Sequence, residues 1–199
     1  AAVFDPYTIP ETSTAITSQA VTAFTKDPWG RPLIGVRSIG FGSYNFDTQE
    51  FIPFTRLKPY SKLNPELNTI NCFFWDNNGY LWLGTRYWGL IKLDPRTGST
   101  IEINIQNKQY EFDSEQVQDI MQDHLGNIWV GTDKGVFKIL PYKPAGFGNF
   151  SIVKYTHERS NPLSLSSNRI SKIVEDSDHN IWIGTYDKGL NRLTSDLNT

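Results

Sequence analysis

Short apolar runs, each about one β-strand long, recur along this chain in sets of four, separated by polar turns rich in Asp, Asn and Gly. Within the run STIEINIQ (99–106), Ile101, Ile103 and Ile105 alternate with polar residues, the pattern of a strand with one buried face. Each set opens with an inner run: VTAF (21–24), TINCFFW (69–75), VQDIMQ (117–122) and RISKIVE (169–175). A turn of the form D-x-x-G-N follows, suited to a tight hairpin because Gly accepts positive φ and Asp caps its own backbone. The second run is LIGV (33–36), LWLGT (81–85), IWVGT (128–132) or IWIGT (181–185). The third begins at Gly40, Gly89, Gly135 or Gly189, and reads GFGSYNF, GLIKL, GVFKI and GLNRL. An outer run closes three of the sets: EFIPFTRL (50–57), STIEINIQ (99–106) and FSIVKYT (150–156). Helical periodicity is missing throughout, and GFGNF and NPLSLSSN read as loops.

The aspartates that lead the four turns are Asp27, Asp76, Asp123 and Asp176, at intervals of 49, 47 and 53 residues. A period of about 50 residues suits one four-stranded propeller blade. The chain is therefore expected to be all-β: a β-propeller of four four-stranded antiparallel blades, either a small propeller or a segment of a larger one. The expected blades span about 20–57, 67–106, 115–156 and 168–193 within a single domain, 1–199. Trp82, Trp129 and Trp182 share one slot, which Leu33 fills in the first copy, and all are expected to be buried between blades. His179 replaces the turn Gly in the fourth copy, where Asn180 is expected to take the left-handed position. The fourth copy stops after its third strand, at Leu193. Residues 2–8 read as a spare outer strand that pairs with 189–193, within the chain or in a homodimer, because closure removes exposed strand edges.

The motif D-x-x-G-N-I-W-[IV]-G-T-x-x-x-G-[LV]-x-[KR]-[LI] resembles the two-component regulator propeller repeat, and NPLSLSSNRI (161–170) resembles that family's link between blades. The likeness runs over about 20–193. It implies a sensor domain on the extracytoplasmic side of a bacterial membrane-bound signalling protein, often a histidine kinase or hybrid two-component system responding to glycans. Such sensors usually have many more blades, so the resemblance implies a fragment of a larger sensor or an unusually small relative.

Composition narrows the function by exclusion. Net charge is −2 with no basic block, which disfavours nucleic-acid binding through phosphate neutralisation. No run approaches the ~18 apolar residues of a membrane helix, and the first residues do not read as a signal peptide. Cys72 is the single cysteine and reads as a small buried hydrophobe. Asn149-Phe150-Ser151 is a formal glycosylation sequon. G-x-S-x-G, H-E-x-x-H, C-x-x-C and P-loop motifs are missing, so no catalytic residues and no cofactor are expected. The spacing D-x-x-G-x-x-W also fails the sialidase D-x-G-x-x-W box. His124, His157 and His179 fall in separate turns or loops and read as solvated residues, with no metal site expected. The four leading aspartates read as turn caps.

Binding chemistry concentrates in the turns that follow Gly-Thr, which vary while the scaffold positions do not. The candidate ligand face comprises Arg37, Arg86, Tyr87, Trp88, Asp133, Lys134, Tyr186, Asp187 and Lys188. Aromatic rings there would stack on a sugar, and the charged groups would bind its hydroxyls or carboxylates. The leading reading is a non-catalytic sensory propeller with a saccharide or other small ligand. The alternatives are a structural or protein-interaction scaffold and, behind it, a propeller lyase or hydrolase.

Overall fold

The computed structural model describes residues 20–45, 47–48, 50–64, 67–104, 112–114, 116–141 and 150–195. Four antiparallel sheets account for their strands. The first blade comprises β1 (Val21–Lys26), β2 (Pro32–Val36), β3 (Gly40–Asn45) and β4 (Glu50–Pro53), and the second β5 (Ile70–Trp75), β6 (Leu81–Thr85), β7 (Leu90–Asp94) and β8 (Ser99–Ile103). The third holds β9 (Val117–Gln122), β10 (Ile128–Thr132), β11 (Val136–Pro141) and β12 (Phe150–Tyr155). The fourth holds β13 (Ile170–Glu175), β14 (Ile181–Thr185) and β15 (Leu190–Leu193). Strands in each sheet follow chain order, the meander of a propeller blade. The expected closing strand 2–8 lies outside the described residues. No helix among them is long and apolar enough to cross a membrane.

The outer strand of the first blade is shorter than its apolar run suggests. It ends at Pro53, and two 3-10 turns follow, Phe54–Arg56 and Tyr60–Lys62. Proline lacks the amide a continuing ladder would need. The turns also carry Phe54 and Tyr60 inward, where both are fully buried. Phe54 stacks on Phe41 at 4.9 Å and Tyr60 meets the same ring edge-on at 5.5 Å. Burial of two aromatic rings outweighs a few edge-strand hydrogen bonds.

Three separate cores form, each between successive blades. Leu33 and Phe41 of the first blade pack with Ile70, Leu81 and Leu83 of the second. Trp82 and Leu90 pack with Val117, Ile120 and Val130 of the third. Trp129 and Val136 pack with Ile170, Ile173 and Ile183 of the fourth. The period-two alternation of a strand explains the sorting: Leu81 and Leu83 point to the preceding blade and Trp82 to the following one. Cys72 packs against the second cluster, where burial pushes its thiol pKa up.

The Trp slot is accordingly uneven. Trp82 and Trp129 are buried, as is Leu33. Trp182, expected to be buried, is only half-buried. It faces forward like the other two, and among the described residues no further blade packs on that side. Gly131 permits the close approach at the seam: a Cβ there would stand 2.7 Å from Ile170 Cγ2 of the next blade. In the fourth turn the left-handed residue is His179 itself, at φ 64°, and not Asn180 as the sequence suggested. Asn180 instead turns its side-chain amide onto Asp176.

Candidate functional site

The leading aspartates are consumed by the turns they open. Asp123 Oδ1 accepts the backbone N–H groups of Leu125 and Asn127 at 3.0 and 2.8 Å. Its Oδ2 accepts the Trp129 indole N–H at 2.8 Å and the Asn127 amide at 2.9 Å. Asp76 holds Trp82 in the same way, and Asp176 holds Trp182. One carboxylate thus fixes both the hairpin and the rotamer of the seam Trp. The first copy lacks that indole, and the Arg31 guanidinium takes its place, with Nε 2.7 Å from Asp27 Oδ2. A cation completes each unit: Lys92 over Trp82, Lys138 over Trp129 and Arg192 over Trp182, at 5.2, 5.0 and 5.6 Å. Where the first copy has Leu33, Ser43 stands at the corresponding cation position. None of these carboxylates is free for acid–base chemistry in this arrangement.

The Trp182 and Asn180 donors hold the Asp176 carboxyl down to about 2 from an ordinary 3.8. A depressed carboxyl stabilises the fold while ionised, so that contribution is complete above about pH 4 and is lost as pH falls toward 2. An acid titration followed by tryptophan fluorescence is expected to show loosening of the fourth blade in that window. Asp176→Asn should remove this part of the pH dependence. An unchanged profile would mean the carboxylate is not held this way.

The turns after Gly-Thr are tied to the entrances of the inner strands. Arg37 N–H donates to the Ala20 carbonyl, Arg86 N–H to Thr69 and Tyr186 N–H to Arg169. Each Thr hydroxyl braces its own turn, as in Thr85 Oγ1 to the Gly89 carbonyl at 2.9 Å. One cavity of about 310 Å³ therefore draws residues from all four turns: Arg37, Arg86, Asp133 and Tyr186. Asn71, Gln116, Gln118 and Arg169 complete its polar wall. Tyr186 Oη donates to Gln118 Oε1 at 3.4 Å, and Ser114 Oγ donates to Asp133 Oδ1 at 2.7 Å. Arg169 lies 5.8 Å over the Tyr186 ring and 3.6 Å from Asp187 Oδ2. Three guanidinium groups against one carboxylate make the lining cationic.

Other members of the expected face lie elsewhere. Trp88 is half-buried and packs on the cluster between the first two blades, so it is part of the core edge. Tyr87 is exposed and stacks under Arg86 at 5.5 Å. Lys134 and Lys188 are exposed and do not line the cavity. Asn71, Gln116, Gln118 and Arg169 were not singled out from sequence. Their signal was polarity at the start of otherwise apolar inner strands.

The histidines are not all separate, as their sequence positions suggested. His157 is a loop residue whose Nδ1 meets the Leu165 carbonyl at 2.7 Å. His124 and His179, from the hairpin turns of neighbouring blades, stack at 3.7 Å between ring centroids. Glu175 contacts Nδ1 of both rings.

Residues 65–87, 111–134 and 164–187 match the family model described as the two component regulator propeller. Those three stretches are similar to the two-component regulator propeller repeat. A segment of 84 residues is 31% identical to histidine kinase P4 of Formosa agariphila, covering 42% of this chain and 6% of that protein. A structure described as the extracellular domain of a hybrid two component system from B. thetaiotaomicron superposes with a TM-score of 0.68 at 23% identity. The match covers 93% of this chain and 22% of that one. Virginiamycin B lyase from Staphylococcus aureus has the same kind of fold, with a TM-score of 0.54 at 16% identity over 90% of this chain and 58% of that one. The chain thus spans 6% of that histidine kinase and 22% of that extracellular domain.

Proposed function

We propose that this two-component regulator propeller chain is a non-catalytic, ligand-binding part of an extracytoplasmic sensor. The reading rests on the cavity at the inner-strand entrances, and its ligand is a saccharide carrying a carboxylate. Arg37, Arg86 and Arg169 would pair with the acid, and Asn71, Gln116 and Gln118 would bind hydroxyls. Tyr186 offers an exposed ring for stacking on a sugar face. Asp133 would accept from a hydroxyl and set orientation. Because every turn contributes to one cavity, binding would couple the blades and shift their relative arrangement, the signal a kinase module could read. Glycoside hydrolysis ordinarily uses a carboxylate pair, and the cavity's lining offers one carboxylate.

Acidic oligosaccharides are expected to raise the melting temperature, since a ligand bound only to the native state stabilises it. Arg86→Ala and Arg169→Ala should each weaken affinity by about tenfold or more, the cost of one charge-assisted pair. Calorimetry with uronate oligomers provides the check. Binding that ignores both substitutions removes this site. Failure of every saccharide to bind moves the weight to a protein-interaction scaffold.

A further inference from the structure

We propose that His124, Glu175 and His179 form a binding site for a divalent transition-metal ion of the zinc type, bridging the third and fourth blades. One ligand atom from each residue lies within 4.8 Å of the others. His179 Nδ1 is 3.2 Å from Glu175 Oε1, the oxygen that also contacts His124 Nδ1. Glu175 is anchored from behind, because its Oε2 accepts the His124 backbone N–H at 2.9 Å. Ligand atoms around a tetrahedral zinc at about 2.0–2.1 Å stand about 3.3 Å apart, so small side-chain shifts admit the ion. Two imidazoles and one carboxylate suit zinc, copper or nickel, whereas magnesium and calcium prefer oxygen donors alone. The histidine side chains are 34% and 50% exposed and the glutamate 15%. That leaves a coordination position open to solvent.

The repeat supplies an internal comparison. At the preceding seam the residues in equivalent places are Asn77, Gln122 and Gly126. There Gln122 Oε1 accepts the Asn77 backbone N–H at 2.8 Å, and its Nε2 donates to the Gly126 carbonyl. A neutral amide and a glycine therefore satisfy the fold's needs at this position. The third-to-fourth seam carries three metal-binding side chains in their place. One of them, His179, sits at φ 64° where the three other copies have Gly30, Gly79 and Gly126 at φ 84°, 76° and 89°. A side chain in that region carries a steric cost that glycine avoids, so the fold alone gives no preference for histidine here.

The comparison also supplies the variants. His179→Gly restores what the other three turns carry and Glu175→Gln what the preceding seam carries, so both are expected to fold. Calorimetric titration of the whole chain with zinc chloride should give micromolar binding with proton release, and magnesium chloride none. Each variant should bind zinc at least tenfold more weakly and lose the zinc-dependent rise in melting temperature. Cobalt(II) should give a visible d–d spectrum with the parent chain that both variants lack. Zinc binding of equal strength in the variants would place the ion elsewhere, and no binding by the parent chain would end the proposal.

Discussion

Trp129→Ala is expected to lower the free energy of unfolding by about 3–5 kcal/mol. The indole is fully buried, it stacks with Tyr155 at 5.7 Å, and it fills the third core against Ile170 and Ile183. Truncation opens a cavity at a seam, leaves one Asp123 hydrogen bond unmade and removes the ring beneath Lys138. Trp182→Ala serves as the control. It deletes the same side chain from the same repeat position, but the ring is half-buried, and the loss should be about half as large or less. Urea denaturation of the two variants decides the matter. Losses below about 1 kcal/mol for Trp129→Ala would mean that the slot is not a seam core.

Asp123→Ala should cost about 3 kcal/mol or more, although it removes only a short polar side chain. Its carboxylate serves four donors, and three of them, the Trp129 indole and the backbone and side-chain amides of Asn127, belong to buried residues. Each buried donor left without a partner costs about 1–3 kcal/mol. The change also withdraws the negative charge that opposes the burial-driven lowering of the Lys138 pKa. Asp123→Asn keeps one acceptor oxygen but presents N–H to N–H at the other position, so an intermediate loss is expected. The double variant with Trp129→Ala should lose clearly less than the two single losses together, because the residues share one hydrogen bond. Additive losses would separate the cap from the core.

Strands were legible wherever apolar runs met turn residues, and the seam Trp, its Asp and the two glycines were legible because they recur in register. Trp88 was misleading: an aromatic in a variable turn looks like a ligand platform, yet its ring finds the core edge. Pro53 and the inward-facing Phe54 and Tyr60 shortened a strand that alternation alone would extend. The cavity lining was half visible. Arg37, Arg86, Asp133 and Tyr186 occupy one repeat slot, whereas Asn71, Gln118 and Arg169 enter from a neighbouring strand and become partners only through packing. His124 and Glu175 are 51 residues apart, close to the 53-residue interval between the leading aspartates of these two blades. In a propeller, residues one period apart are lateral neighbours, much as residues four apart are on a helix. Reading the histidines by linear proximity missed this.

The forward-facing Trp has an evolutionary consequence. The second and third units each present an indole and a glycine on the forward side, received by an aliphatic patch of the next blade, Val117, Ile120 and Val130 or Ile170, Ile173 and Ile183, so one surface chemistry serves both junctions. Duplicating a stretch of about 50 residues in frame would supply both halves of a working junction at once. Lineages built on this unit can therefore change blade number by recombination without inventing new contacts. The first copy, with Leu33, Ser43 and the Arg31–Asp27 pair, records how far a single junction can drift while still fitting its neighbour.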